Sequence, residues 1–245
     1  MPTRRDFKLG LASAAFGGLA LAGCSTVSKL AGYAERLPGY RTGEMTTCHG
    51  YGPLIEDPRR LLDLPARFSY EILSSAGPRA DRGFSIPCSF DGMGAIPLGG
   101  GQVALIRNHE LEPGNVAKGA WPTGAPADAV AKAWDVAAGP GGGPLPGGTS
   151  TIIYDTGARR VVDEYVSLVG TVRNCAGGVT PWGSWLSCEE YVSGPKGRAG
   201  SDHGWVFEVP ANSGGLVEAV PIRTLGRFRH EAAAVHPNQR VTYLT

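Results

Sequence analysis

Apolar residues come in short runs along this chain, bounded by Gly, Pro or Asp. QVALIRN (102–108), STIIYDT (150–156), RVVDEYVSLVG (160–170), GWVFEVP (204–210) and RVTYLT (240–245) have the length and β-branched content of strands. Helical spacing is confined to 28–37 and 127–138. The pattern predicts an all-β protein. Residues 112–148, rich in Ala, Gly and Pro and containing GPGGGPLPGG, read as an insertion or flexible excursion carrying one helix.

The strands recur. CAGGVTP (175–181) and EAAAVHP (231–237) align at an offset of 56 residues, and Gly170, Arg173 and Asn174 then fall opposite Gly226, Arg229 and His230. DGMGAIP (91–97) is a third copy, 84 residues before the second, and the insertion accounts for the longer step. Each copy precedes a strand ending in acids or polar residues: VALIRNHE (103–110), SWLSCEE (184–190) and VTYLT (241–245). Upstream, TIIYDTGARRVV and WVFEVPANSGGLVEAV both read as hairpins. A unit of about 56 residues with about four strands has the size of a propeller blade. Closure takes about four to eight blades, so a chain with three units is expected to be the N-terminal part, about half, of a longer β-propeller protein.

Composition narrows the partners. With 23 basic and 22 acidic residues the net charge is +1, so no overall field draws in nucleic acid or an anionic surface. Gly (37) and Pro (19) fit a turn-rich globular protein. The first 24 residues read as an export signal: a twin-arginine pattern, TRRDF, then an apolar run from Leu9 to Ala22 that is too short to span a bilayer. It ends in LAGC, similar to a lipobox, which makes Cys24 a candidate lipid anchor and the only expected link to a membrane. Residues 25–49 read as a lead-in and 50–245 as the partial propeller domain. An exported protein can form disulfides, and Cys48 with Cys88 is one pairing the sequence allows.

Blades stacked around an axis bring equivalent positions together. Asp91, Cys175 and Glu231 head the three copies, and Glu110, Glu189 and Glu190 end the following strands. Carboxylates that converge without cations repel one another, so metal ions are expected there. Carboxylates suit a hard cation such as calcium, and a thiolate a softer ion such as iron or zinc. Successive side chains alternate along a strand, so at most one of Glu189 and Glu190 shares the motif's direction. Arg107, His109, Arg229 and His230 flank the acids and could meet an anionic substrate or its transition state. Cys188 reads as core or disulfide, Trp182, Trp185 and Trp205 as packing between strands, and His203 and His236 as exposed turn residues.

GYGPLIEDPRRLLDLPARFSY (50–70), RNHEL (107–111), NCAGGVTPWGSWLSCEE (174–190), HGWVFEVP (203–210) and GRFRHEAAAVHP (226–237), in this order behind a twin-arginine signal, resemble the PhoX-type bacterial alkaline phosphatases. The resemblance implies a six-bladed propeller that holds iron and calcium ions and hydrolyses phosphate monoesters outside the cytoplasm, in the periplasm or cell envelope, as a monomer. It makes Cys175 an iron ligand, with Glu231, one of Glu189 and Glu190, and Glu110 among the iron or calcium ligands, and Asp91 at the equivalent repeat position. Arg229, His230 and Arg107 are the expected catalytic cations. Hydrolysis would proceed by metal-activated oxygen attack, with no serine nucleophile; no GxSxG motif occurs. Two other readings compete: a calcium-bearing propeller hydrolase of another class, and a non-catalytic propeller lipoprotein.

Overall fold

The computed structural model describes residues 47–48, 51–79, 81–137 and 142–245, in two compact units, Met1–Ile72 and Leu73–Thr245. The signal over 1–24, Cys24 and the helix expected over 28–37 lie outside the described residues, as does the side chain of Cys48.

In the first unit β1 (Thr47–Cys48), β2 (Gly52–Ile55) and β3 (Leu64–Pro65) pair antiparallel in that order. The loop between β2 and β3 folds around Asp57. Its carboxylate accepts the N–H groups of Arg59, Leu61 and Leu62 at 3.0, 2.9 and 3.2 Å and the Tyr70 hydroxyl at 2.5 Å. Backbone donors with no strand partner are satisfied there by one side chain.

The second unit begins with the hairpin β4 (Gly77–Arg79) and β5 (Phe84–Ile86). A four-stranded antiparallel meander follows: β6 (Phe90–Gly99), β7 (Gln102–His109), β8 (Gly147–Asp155) and β9 (Arg160–Thr171). Next come the three-stranded sheet β10 (Asn174–Val179), β11 (Ser184–Glu189) and β12 (Val206–Pro210), and the hairpin β13 (Ala233–Val235) and β14 (Thr242–Leu244). Ile96, Ala104, Ile106 and Leu168 of the meander pack with Trp185, Trp205, Phe207 and Val209 of the next sheet. Alternation in these strands places one apolar face of each against its neighbour. The described residues are therefore all-β apart from short helical turns; a closed ring of blades is not formed among them.

The three sequence copies lie on β6, β10 and β13, and β10 packs against both of the others. Small residues permit this. A Cβ on Gly92 would lie 2.6 Å from the Cα of Ala176 on β10, and one on Gly178 would collide with the carbonyl of Ala233 on β13. Gly178→Ala must push these backbones apart, and is expected to cost about 1–3 kcal/mol, read as a lower thermal midpoint with the same cooperativity.

Register shows the first two copies to be equivalent residue by residue. Phe90 pairs with His109 and Asn174 with Glu189, and a bulge follows each, between Phe90 and Met93 and between Asn174 and Gly177. Ser89 and Arg173, one position earlier, have φ of 54° and 45°, and their carbonyls accept the N–H groups of Glu110 and Glu190, both at 2.9 Å. Asp91 thus corresponds to Cys175, Glu110 to Glu190, His109 to Glu189, and Asn108 to Cys188.

Several expectations need correction. The helix α1 (Ala127–Lys132) stops short of 138 because the N–H groups of Trp134 and Asp135 donate to Val169 and Gly170 of β9, at 3.3 and 3.1 Å. In the segment around it, among the described residues, Ala120, Ala129 and Leu145 are buried, and Gly170 donates to the Leu145 carbonyl at 3.1 Å. The return arm expected after β12 does not form a strand. Val217 and Ala219 instead donate to Ser167 and Lys132, at 3.0 and 2.9 Å. Trp182 is 65% exposed at the turn between β10 and β11, where its indole N–H donates to Glu208 at 2.5 Å. Cys88 is a free thiol, as are Cys175 and Cys188, and Cys188 packs with Leu186, Val206 and Ala233, which agrees with its reading as a core residue.

Candidate metal centre

The two equivalent bulges aim their extra residues at one place. A β-bulge sets an extra residue against one partner and turns its side chain out of the regular alternation. Here the residues so placed are Asp91 and Cys175, and Glu110 arrives from the end of β7. One carboxylate oxygen of Asp91, one of Glu110 and the Cys175 Sγ all lie within 4.8 Å of one another. Asp91 is exposed, while Glu110 and Cys175 are partly buried, so the group is accessible from solvent.

Charge at this spot is unbalanced. Burial, then the neighbouring Glu110 and Glu190 against a hydrogen bond from the Gly92 N–H, pushes Asp91 up to about 6. Burial first, then the charges of Asp91, Glu110, Glu190 and Glu231, pushes the Cys175 thiol up to about 12. Arg173 opposes these charges, with its guanidinium 2.7 Å from Glu110 and 3.4 Å from both Glu112 and Glu190. Two carboxylates and a thiol at metal-ligand spacing suit a cation chemically: bound charge would favour the ionised acids and the thiolate together.

Other expected site residues are placed differently. Glu189 is fully buried, with its carboxylate on the His203 side. Its carboxylate accepts the N–H groups of Val172, Gly204 and Trp205 at 3.0, 2.8 and 3.1 Å, and faces His203 Nδ1 at 2.7 Å. Its four acceptor positions are all used within the fold. His203 is likewise fully buried, correcting its assignment to an exposed turn, because Asp135 meets its Nε2 at 3.0 Å. Glu190 remains beside Arg173 and Glu110, and Glu231 is close enough to act on the Cys175 thiol.

The expected catalytic cations divide. Arg107 is only 8% exposed; its guanidinium donates to Ser74 and Ser150, both at 3.1 Å, and lies 3.6 Å from the centre of the Phe90 ring. Its guanidinium also lies 3.7 Å from the Glu164 carboxylate. His230 is fully buried, its ring centre 3.7 Å from that of Phe228 with the planes tilted by 40°, and its Nε2 directed to the Gly226 carbonyl; burial lowers its pKa, so a neutral ring is favoured. Arg229 is exposed.

Two residues escaped assignment from the sequence. Arg173 enters the sequence pattern only as part of the repeat, yet it is a cation among the acids; its place two residues before Cys175 is the available signal. Asn108 carried no signal at all, because its partners lie on another sheet.

A PhoX alkaline phosphatase family model matches residues 49–140 and 153–245, and so includes each of Asp91, Glu110, Cys175, Glu190 and Glu231. No curated protein and no solved structure matches the chain. The matched blocks cover most of the sequence and carry both bulges with their acids and thiol, so the chain belongs to the PhoX alkaline phosphatase family.

Proposed function

We propose that this protein is an exported, metal-dependent phosphomonoesterase of the six-bladed propeller kind. The observation that carries the reading is the convergence of Asp91, Glu110 and Cys175 within 4.8 Å, in a chain of a phosphatase family. Cys175 would hold iron, and Asp91, Glu110, Glu190 and Glu231 would divide between iron and calcium. Such ions, when bound, supply Lewis acidity toward phosphoryl oxygens and activate the attacking oxygen. The chain's own residues do the rest. The bulges fix the ligand atoms, Arg173 offsets the excess negative charge of Glu110, Glu112 and Glu190, and Arg229, two positions before Glu231 in sequence, offers an exposed cation to a phosphate ester.

Export by the twin-arginine route, with or without a lipid on Cys24, would place the enzyme in the periplasm or envelope. The test is elemental analysis alongside p-nitrophenyl phosphate hydrolysis. Stoichiometric iron and calcium, with activity lost on chelation and regained on adding both, is the expected result. Calcium alone would point to another hydrolase class, and no stoichiometric metal would end the proposal.

A further inference from the structure

Asn108 is fully buried, on β7, and every hydrogen-bonding position of its amide is used. Its Nδ2 donates to the carbonyl of Cys175 at 3.2 Å and to that of Ala176 at 2.8 Å, across the boundary between two sheets. Its Oδ1 accepts the Trp185 indole N–H and the Ser187 hydroxyl, both at 2.9 Å. Indole nitrogen can only donate, so the orientation of the amide is determined.

The peptide joining Cys175 to Ala176 is thereby held at both ends. Asn108 takes its carbonyl, and its N–H donates to the Glu231 carbonyl at 3.0 Å. Gly92 lies against the Ala176 backbone on the same stretch. Fixing that plane fixes the backbone torsion that follows the Cys175 Cα, and with it the direction in which the thiol leaves the chain. A bulge lacks regular ladder bonds and would otherwise leave this torsion soft.

The next sheet supplies a comparison inside the same molecule. Register places Cys188 where Asn108 stands, and Cys188 sits against Ala233 in an apolar cluster. Packing one sheet on the next therefore requires no amide at this position. Burying one is costly unless all its bonds are made, and here both bonds that it donates go to the two residues that carry the bulge.

We infer that Asn108 is a positioning residue for Cys175: its carboxamide, reaching from the preceding sheet, sets the direction of the thiol toward Asp91 and Glu110. The inference rests on the proposed role of Cys175 as a metal ligand, and deepens it. The outer partners of a ligand are typically worth about 10–100-fold in metal affinity.

The test uses the full chain and its Asn108→Leu and Asn108→Ala variants, with cobalt(II) as the probe metal. Thiolate ligation of cobalt gives an intense near-ultraviolet charge-transfer band, which a fold-only role for Asn108 would leave in place once the site is filled. The expected result is a shifted or lost band in both variants, with cobalt held about tenfold or more weakly. In the metal-free proteins, iodoacetamide should modify Cys175 faster in the variants, while Cys88 and Cys188 react as in the parent. An unchanged band together with an unchanged Cys175 alkylation rate overturns the positioning role. Cys175→Ala separates the two ideas: a band that survives it removes Cys175 as a ligand, and the alkylation rates still decide for or against Asn108.

Discussion

Cys175→Ala is expected to remove the thiolate-bound metal and to lower p-nitrophenyl phosphate hydrolysis by more than about 100-fold, since even outer partners of a ligand are worth about 10–100-fold. The physical reason is the composition of the group. Asp91, Glu110 and Cys175 lie within 4.8 Å, and removing the sulfur leaves carboxylates alone, a set suited to hard cations only. Cys175→Ser should behave nearly as badly, because a hydroxyl does not ionise as a thiol does. The folded protein should tolerate either change, as Cys175 is partly exposed and takes no part in the apolar clusters. With the thiol pushed up to about 12 by burial and the surrounding acids, ligation has to displace its proton. Metal affinity should therefore rise with pH in the parent and lose much of that slope in Cys175→Ala. Metal content and activity, both measured against pH, check the prediction; undiminished iron and activity in the alanine variant would remove Cys175 from the centre.

Glu189→Ala should be the most destabilising single change in the second unit, at about 3–5 kcal/mol, seen as a lower urea midpoint. It strands the N–H groups of Val172, Gly204 and Trp205 and leaves His203 with only Asp135. Both ring nitrogens of His203 face carboxylates, which favours a proton on each. Burial alone lowers this pKa, but the bonds and charges of Glu189 and Asp135 outweigh it and hold it above the usual value. A raised folded pKa means that the stabilisation is complete below the unfolded value of about 6.5 and is lost as pH rises through the folded one. His203→Gln should accordingly flatten the decline of stability on the alkaline side. A parent whose alkaline stability profile matches that of His203→Gln would rule out a charged His203.

How much of this could be read before folding depends on the range of the interactions. Strands such as β7 and β9 were legible because alternation and flanking turn residues are local. The repeat was legible because CAGGV and EAAAV preserve the small residues that close packing of β10 on β13 demands. The arm after β12 was misread as a strand because its donors find acceptors on Ser167 and Lys132, far away in sequence. His203 was misread for the same reason: its two carboxylates come from residues 135 and 189.

The sequence by itself determined the all-β class, the repeated unit, the family resemblance, and the equivalence of Asp91 with Cys175. Spacing and residue type are enough for those. Only the tertiary structure set Glu189 against His203 and Glu190 beside Arg173, since the pleat says that they diverge but not in which sense. It likewise drew Arg107 and His230 inside, set Arg173 among the carboxylates, and laid the Asn108 amide on the Cys175 bulge. Each of those outcomes depends on where neighbouring sheets place donors and charges, which no window of sequence contains.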